Sequence, residues 1–306
     1  MVLAGLFLNA PVGATSLTSV APSRAFSGTC SVPSPSPARL AECDALALAA
    51  IDQARAREGV GPLGLPSGFD REGLAAQMLT LVNEERVDRG LAPVKGVSSA
   101  LDRFALAGAR SGLDPGFPSP FPGSKGGSVW TSVWSPLLAD YLFMYDDGPG
   151  GVNLDCVSAH TAGCWGHRRI LLGRYSGPLL LGVGATGRGG GVSGLAIEMV
   201  GGDRHDRADV VTWSSLRRTL VPGVVPRVLT LTPATASGVV TVAASGEPMS
   251  IRFTTSSPQW TVSPTTCTLR AGRECTVTVV GSVRTSSATL EVTGPGGSSA
   301  VLLRRS

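Results

Sequence analysis

CVSAHTAGCWGHRRILLG, residues 156–173, places two cysteines and two histidines close together in a chain that holds only six and three. Three readings of it lead to three different proteins. Cys156, His160, Cys164 and His167 form C-x3-H-x3-C-x2-H, four good ligand types for tetrahedral zinc, but without the tight C-x2-C pairs of the common fingers. Oxidised, the same cysteines close SAHTAG as a loop directly before the turn that presents His167 and fix that turn covalently. The third reading is a braced loop with no chemistry. The six cysteines fall into local couples, Cys30 with Cys43, Cys156 with Cys164 and Cys267 with Cys275. An even set behind an export signal favours disulfides over thiolate ligands. Each bond closes a short loop and contributes about 2–3 kcal/mol. A resident metal is then not expected, a weak contact at His167 being the exception, and no cofactor is expected.

The export signal is MVLAGLFLNAPVGATS, residues 1–16, an apolar run followed by Val12-Gly13-Ala14, small residues that suit a signal peptidase. It lacks a basic start, and it is too short to span a bilayer. No other stretch reads as transmembrane, so the expected location is secreted or cell-surface. The formal net charge is +4, but Lys95 and Lys125 are the only lysines and the arginines are scattered. Nucleic acid would need a clustered basic stripe with interleaved aromatics, so it is not an expected partner. With 42% hydrophobic and 16% charged residues over 306 positions, the chain has a globular composition and length for one large or two ordinary domains.

Hydrophobic periodicity divides the chain. Residues 1–37 read as the signal peptide and a Ser/Pro-rich mature N-terminus. Helical spacing follows in ALALAAIDQARA, in FDREGLAAQMLTLVNEERVDRG with Asp70 as its cap and Phe69 packing on Leu74, and in SSALDRFALAGARSG capped by Ser98 or Ser99. DPGFPSPFPGSKGGSVW reads as a long Pro/Gly loop, and SPLLADYLFMYDDG as a helix with Pro136 in its first turn. PLLLGVGATG, GLAIEMVGG and DVVTWSS then have strand length. Helices first and strands last predict an α+β domain over residues 38–215. LRRTLVPGVVP, residues 216–226, reads as a linker. Over residues 227–306 the period changes to two, in short strands separated by Gly, Pro and Ser, the pattern of a smaller all-β immunoglobulin-like sandwich.

NEERVDRGLAPV, SPLLADYLFMYDDG, CWGHRRILLG, GVGATG and GLAIEMVGG together resemble the bacterial branch of the CAP superfamily, the SCP-like extracellular proteins related to cysteine-rich secretory, antigen 5 and pathogenesis-related proteins. The likeness covers about residues 70–213, and Gly166-His167-Arg168-Arg169-Ile170-Leu171 is its most specific part. The resemblance implies an α-β-α sandwich around a cleft that in typical members holds two His and two Glu. Carried over, His167 matches the second His, and Asp146 is the nearest acid to one Glu position. GFPSPFPGS lacks the first His, and Gly127-Ser128-Val129 stands where the Gly-Glu-Asn carboxylate belongs. The implied cleft is therefore degraded.

His167 and Asp146 are the candidate catalytic pair, with Ser128, Trp130, Tyr145, Trp165 and Arg168 as candidate cleft-lining residues. Ser128, Asp146 and His167 can be written as a triad, with Glu85 as a further acid, but separation in sequence does not bring atoms together. The expectation is a secreted or cell-surface binding or scaffold protein with a degenerate CAP cleft and no established catalysis. Its partner would be a small hydrophobic or glycan ligand, or a surface protein. The alternative is a secreted, peptidase-like hydrolase using His167 with a nearby acid.

Overall fold

The computed structural model describes Cys30 and most of residues 36–305. Outside the described residues lie 1–29, 31–35, 67, 117–124, 134, 147–164, 189–190, 203–206, 219, 227, 233–234, 236, 245–247, 271–272, 282–286 and 306. The signal peptide, the Cys156–Cys164 couple and His160 fall in those segments.

Helix α1 (Pro37–Arg57) starts where the Ser36 hydroxyl accepts from the Arg39 amide and a proline occupies the first turn. Cys43 on its buried side bonds Cys30. Phe69–Arg71 forms a separate 3-10 turn, and α2 (Leu74–Val87) begins only after Gly73, which offers no side-chain cap. Asp70 therefore does not cap this helix as the sequence suggested. The chain continues through β1 (Gly96–Val97), α3 (Ser99–Ser111), β2 (Lys125–Thr131), α4 (Pro136–Tyr145), α5 (Gly166–Leu171), β3 (Leu179–Arg188), β4 (Gly191–Gly201), β5 (Val211–Thr212) and α6 (Trp213–Leu216). These strands form one sheet in the order β2-β4-β3-β1-β5.

Alternation along β4 sorts the packing. Leu195, Ile197 and Met199 point into a core shared with α1, α2 and α4, through Ile51, Met78, Leu81, Tyr141 and Phe143. Ala196 and Val200 point the other way, towards Ala105, Ala109 and Leu101 of α3. That helix lies directly on the backbone of β3: a Cβ at Gly184 would sit 2.1 Å from the Leu106 nitrogen. Glycine here is a packing requirement, not a turn signal.

Beyond α6 come β6 (Gly223–Val225), β7 (Val228–Leu231), β8 (Ser237–Ala243), β9 (Met249–Thr255), β10 (Trp260–Ser263), β11 (Thr266–Leu269), β12 (Glu274–Gly281), β13 (Ser287–Gly294) and β14 (Gly297–Arg305). They build a four-stranded sheet, β10-β12-β8-β6, and a five-stranded sheet, β11-β9-β13-β14-β7. The two share a core of Val240, Val242, Trp260, Val277 and Val279 from one sheet and Ile251, Phe253, Leu290, Val301 and Leu303 from the other. Cys267–Cys275 links β11 of one sheet to β12 of the other.

The architecture expected from the sequence, an α+β chain led by a CAP-like α-β-α sandwich, is corrected here. Among the described residues the protein is β-rich, with its strands in three sheets. The expectation failed because the order of elements is not helices first and strands last. β1 and β2 lie between helices and pair into the first sheet, β2 along the whole of Lys125–Thr131 against Leu195–Gly201. KGGSVWT lacks the alternation of a half-buried strand, so it reads as the end of a Pro/Gly loop. Cross-strand pairing overrides that weak local preference.

The segment after α1 joins the two halves. Arg55 Nε donates to the Gly61 carbonyl at 2.6 Å, Asp52 accepts from the Leu63 amide at 2.9 Å and Glu84 accepts from the Gly64 amide at 2.8 Å. On its other side this strap meets β6, where a Cβ at Gly223 would lie 2.1 Å from the Pro62 oxygen. Leu220, Val221 and Val224, leading into and along β6, are buried as well.

Candidate functional site

His167 stands in the first turn of α5. Its Nε2 lies 3.3 Å from Asp114 Oδ1, and its ring meets Phe143 edge-on with centroids 5.5 Å apart. The imidazole remains 24% exposed and Asp114 53%, so the pair is open to solvent. Ser128 on β2 donates its hydroxyl to the carbonyl of Pro115, the residue after Asp114. The strand and the turn after α3 thus meet beside His167. Asp146, 4% exposed at the end of α4, acts electrostatically on Tyr141, whose hydroxyl is pushed up by burial first and by that carboxylate second.

The remaining residues singled out in the sequence divide between the two faces of the first sheet. Trp130 packs with Ala105, Ala109 and Ala196 on the α3 side. Tyr145, Trp165 and Arg168 stack on the other side, the Arg168 guanidinium 5.4 Å from the Tyr145 ring centroid and 5.9 Å from that of Trp165. Trp165 precedes α5 with φ of 59°, a left-handed conformation unusual for a bulky residue, and is 2% exposed.

Arg168 belongs to a buried ionic network that sequence reading did not anticipate. It donates to the Met144 carbonyl and to both oxygens of Glu58. Glu58 also receives Arg89, which reaches Glu85, and Glu85 pairs with Arg55 at 3.0 Å while Arg55 also meets Asp88. The Tyr145 hydroxyl donates to Glu85 and accepts from Arg89 at 3.1 Å. Arg55, Glu84, Glu85 and Asp140 are all 0% exposed. Burial works against the Arg55 charge, but Glu85, Asp88 and Tyr145 outweigh it and hold the guanidinium protonated. Burial pushes Glu85 up, yet Arg55 and Arg89 bring it below its ordinary value. Glu84 and Asp140 are pushed well above theirs, by burial first and then by Asp88 and by Glu85 respectively. Three guanidiniums, Arg55, Arg89 and Arg168, therefore face three carboxylates, Glu58, Glu85 and Asp88, in one largely buried network. In NEERVDRG the sequence singles out only Glu85, as a further acid. The available signal was that its charges follow Met78, Leu79, Leu81 and Val82 without a break, which is the pattern of a helix buried on all sides.

A further buried acid lies on the α3 side of the sheet. Glu198 on β4 is 0% exposed, is flanked in register by Ser128 and Gly182, and has no hydrogen-bond partner for either oxygen among the described residues. Burial raises its pKa to about 8. No group of three or more His, Cys, Asp or Glu among the described residues is placed to hold a metal ion.

No family model matches the chain, and no curated protein matches it. Solved structures match over about a quarter of it. A chain of the CsuC-CsuE chaperone-tip adhesion subunit pre-assembly complex from Acinetobacter baumannii Csu pili is 13% identical over 27% of this chain and 50% of that one, with a TM-score of 0.24. The E. coli chaperone DraB is 18% identical over 28% of this chain and 56% of its own, with a TM-score of 0.25. A C. elegans MSP family member is 9% identical over 28% of this chain and 94% of its own, with a TM-score of 0.24. The chain spans about half the length of the pilus chaperones it matches.

The resemblance to the CAP superfamily is overturned by these comparisons. Neither a family model nor a curated protein supports it. The correspondences built on it, His167 and Asp146 to a His/Glu tetrad and Gly127-Ser128-Val129 to its Gly-Glu-Asn, fall with it. The physical reason is visible in the motif. In GHRRIL, Arg168 serves the ionic network, Ile170 packs against the first core and Leu171 lies within it, so packing alone accounts for a pattern that read as a signature. The disulfides Cys30–Cys43 and Cys267–Cys275 are those of an exported protein. Among the described residues no helix is long and apolar enough to cross a membrane.

Proposed function

We propose that the protein is an exported binding or scaffold protein, working at the cell surface or in the secreted fraction, whose partner is a surface protein or a glycan. The observation that carries this reading is the state of Ser128. The one hydroxyl nucleophile weighed for the site donates to the Pro115 carbonyl, while the His167 imidazole faces Asp114. A nucleophile needs its base within reach of its own proton, and here that proton is engaged by backbone. The test is saturable attachment of labelled full-length protein to cells of the species that makes it, competed by unlabelled protein.

A second reading, a peptidase-like hydrolase, is favoured by the half-open His167–Asp114 pair, whose geometry lets an imidazole orient water. Turnover of peptide or ester substrates by the purified protein, lost in His167→Ala with the fold intact, would replace the binding reading by this one.

A further inference from the structure

We propose that the Asp114–Pro115 peptide bond is a self-cleavage site, broken by attack of the Asp114 carboxylate on its own main-chain carbonyl with His167 as proton donor. The event occurs once, on the protein's own chain, and rests on neither reading above. Asp114–Pro115 is the one Asp–Pro pair in the sequence. Two features set such a bond apart. The aspartate side chain closes a five-membered ring when it attacks the carbonyl carbon of its own residue, so the nucleophile is already in place. The proline nitrogen is a tertiary amide without an N–H, and it leaves readily once it is protonated.

The fold holds this bond on several sides. α3 ends at Gly112 with φ of 69°, and the Gly108 carbonyl accepts from the Gly112 and Leu113 amides at 3.0 and 3.3 Å, which sets the approach of the chain. The Pro115 ring lies directly on Gly108, where a Cβ would sit 2.5 Å from it. Ser128 of β2 holds the Pro115 carbonyl, and His167 Nε2 stands 3.3 Å from Asp114 Oδ1. β2 is the edge strand, with Ile170 of α5 packed on Gly127 from the face opposite Ser128. The imidazole therefore reaches Asp114 round that edge. Pro115 is buried while Asp114 is 53% exposed, so the leaving group is fixed and water has access to the acid.

In the first step a carboxylate oxygen of Asp114 bonds to the Asp114 carbonyl carbon as the C–N bond to Pro115 breaks. The nitrogen takes its proton from the imidazolium, the role histidine has towards a leaving amine in acyl transfer. A cyclic anhydride remains on Asp114, and Pro115 becomes an N-terminus. Water then opens the anhydride to the side-chain carboxylate and a new α-carboxylate, and the two protons released go to the imidazole and the amine. Water is the co-reactant. Both new ends stay anchored in one domain, since α3 packs on β3 and β4 while β2 pairs with β4.

External proteolysis is the competing account of a nick in this turn, because Leu113 is 66% exposed. The test is incubation of the purified full-length protein with protease inhibitors between about pH 5 and 8, the range in which histidine changes charge. Intact mass and N-terminal sequencing follow the products. We expect a fragment beginning at Pro115, formed faster at the acid end of the range and at least about tenfold faster in the folded protein than in the same chain held in urea at the same pH. His167→Ala should slow it roughly ten- to a hundredfold. Asp114→Ala should abolish it. Asp114→Glu keeps the charge opposite His167 but needs a six-membered ring, and should slow it about tenfold or more. Circular dichroism of each variant checks that it folds. Any of four results would overturn the inference: no Pro115 terminus from the folded protein, cleavage no faster than in urea, an unchanged rate in folded His167→Ala, or a terminus elsewhere in the turn that protease inhibitors suppress.

Discussion

Arg168 holds Glu58 by both carboxylate oxygens at 2.8 Å and so ties α5 to the end of α1 across the first core. The arginine is 5% exposed at its side chain and the glutamate 20%, so the pair is shielded on one side and wetted on the other. Arg168→Met would leave Glu58 with Arg89 alone and take from the Met144 carbonyl the Arg168 donor. We expect a loss of about 2–3 kcal/mol in urea unfolding. In the double variant with Glu58→Gln the losses should fall short of additive, since each single change already breaks the same bond.

The strap between the two halves predicts how they unfold. Arg55, Asp52 and Glu84 grip residues 61–64 from one side while β6 presses them from the other. Unfolding followed separately by tryptophan fluorescence and by circular dichroism should therefore coincide in one transition. Gly223→Ala puts a methyl group against the Pro62 oxygen, and overpacking of this kind costs about 1–3 kcal/mol. It should also separate the two probes, because it acts at the junction and not within either core.

Legibility in the sequence followed the physics of each region. MSIRFTT and CTVTVVG alternate because each strand buries one face, and they are strands β9 and β12. KGGSVWT does not alternate, and only its partner β4 makes it a strand. His167 stood out as a residue type in a short motif, but Asp114 did not, since the acid comes from a turn after α3 that no local pattern connects to α5. The ionic network was hidden for the opposite reason. Its charges are the commonest surface residues, and only tertiary packing turns Glu84 and Glu85 inward.

Cys267–Cys275 crosses from β11, an edge strand of one sheet, to β12, an interior strand of the other, and so joins the two sheets. Replacing both cysteines by serine should lower stability by about 2–3 kcal/mol, the scale for closing a short loop. The comparison is thermal unfolding of the variant against the native protein with and without reductant. Reductant should bring the native protein below the untreated variant, by the share that Cys30–Cys43 contributes separately.

Glu198 makes stability fall as pH rises. Its pKa is about 8 in the folded protein against an ordinary 4.5, so the folded state keeps a proton that the unfolded chain gives up across that interval. The stabilisation is fully present below about pH 4.5, declines as pH climbs through the interval and is gone above about pH 8. Glu84 and Asp140 are raised as well and slope the same way, so the total decline belongs to all three. Glu198→Gln isolates one share, because the amide is neutral at every pH. At pH 5 the variant should match the native protein closely or fall slightly below it. At pH 9, where the native carboxylate must ionise between β4 and α3 without a partner, the variant should be the more stable by roughly 1–3 kcal/mol. Melting temperatures of both proteins across pH 5–9 decide it, and parallel curves would mean that Glu198 ionises as readily in the folded protein as in the unfolded chain.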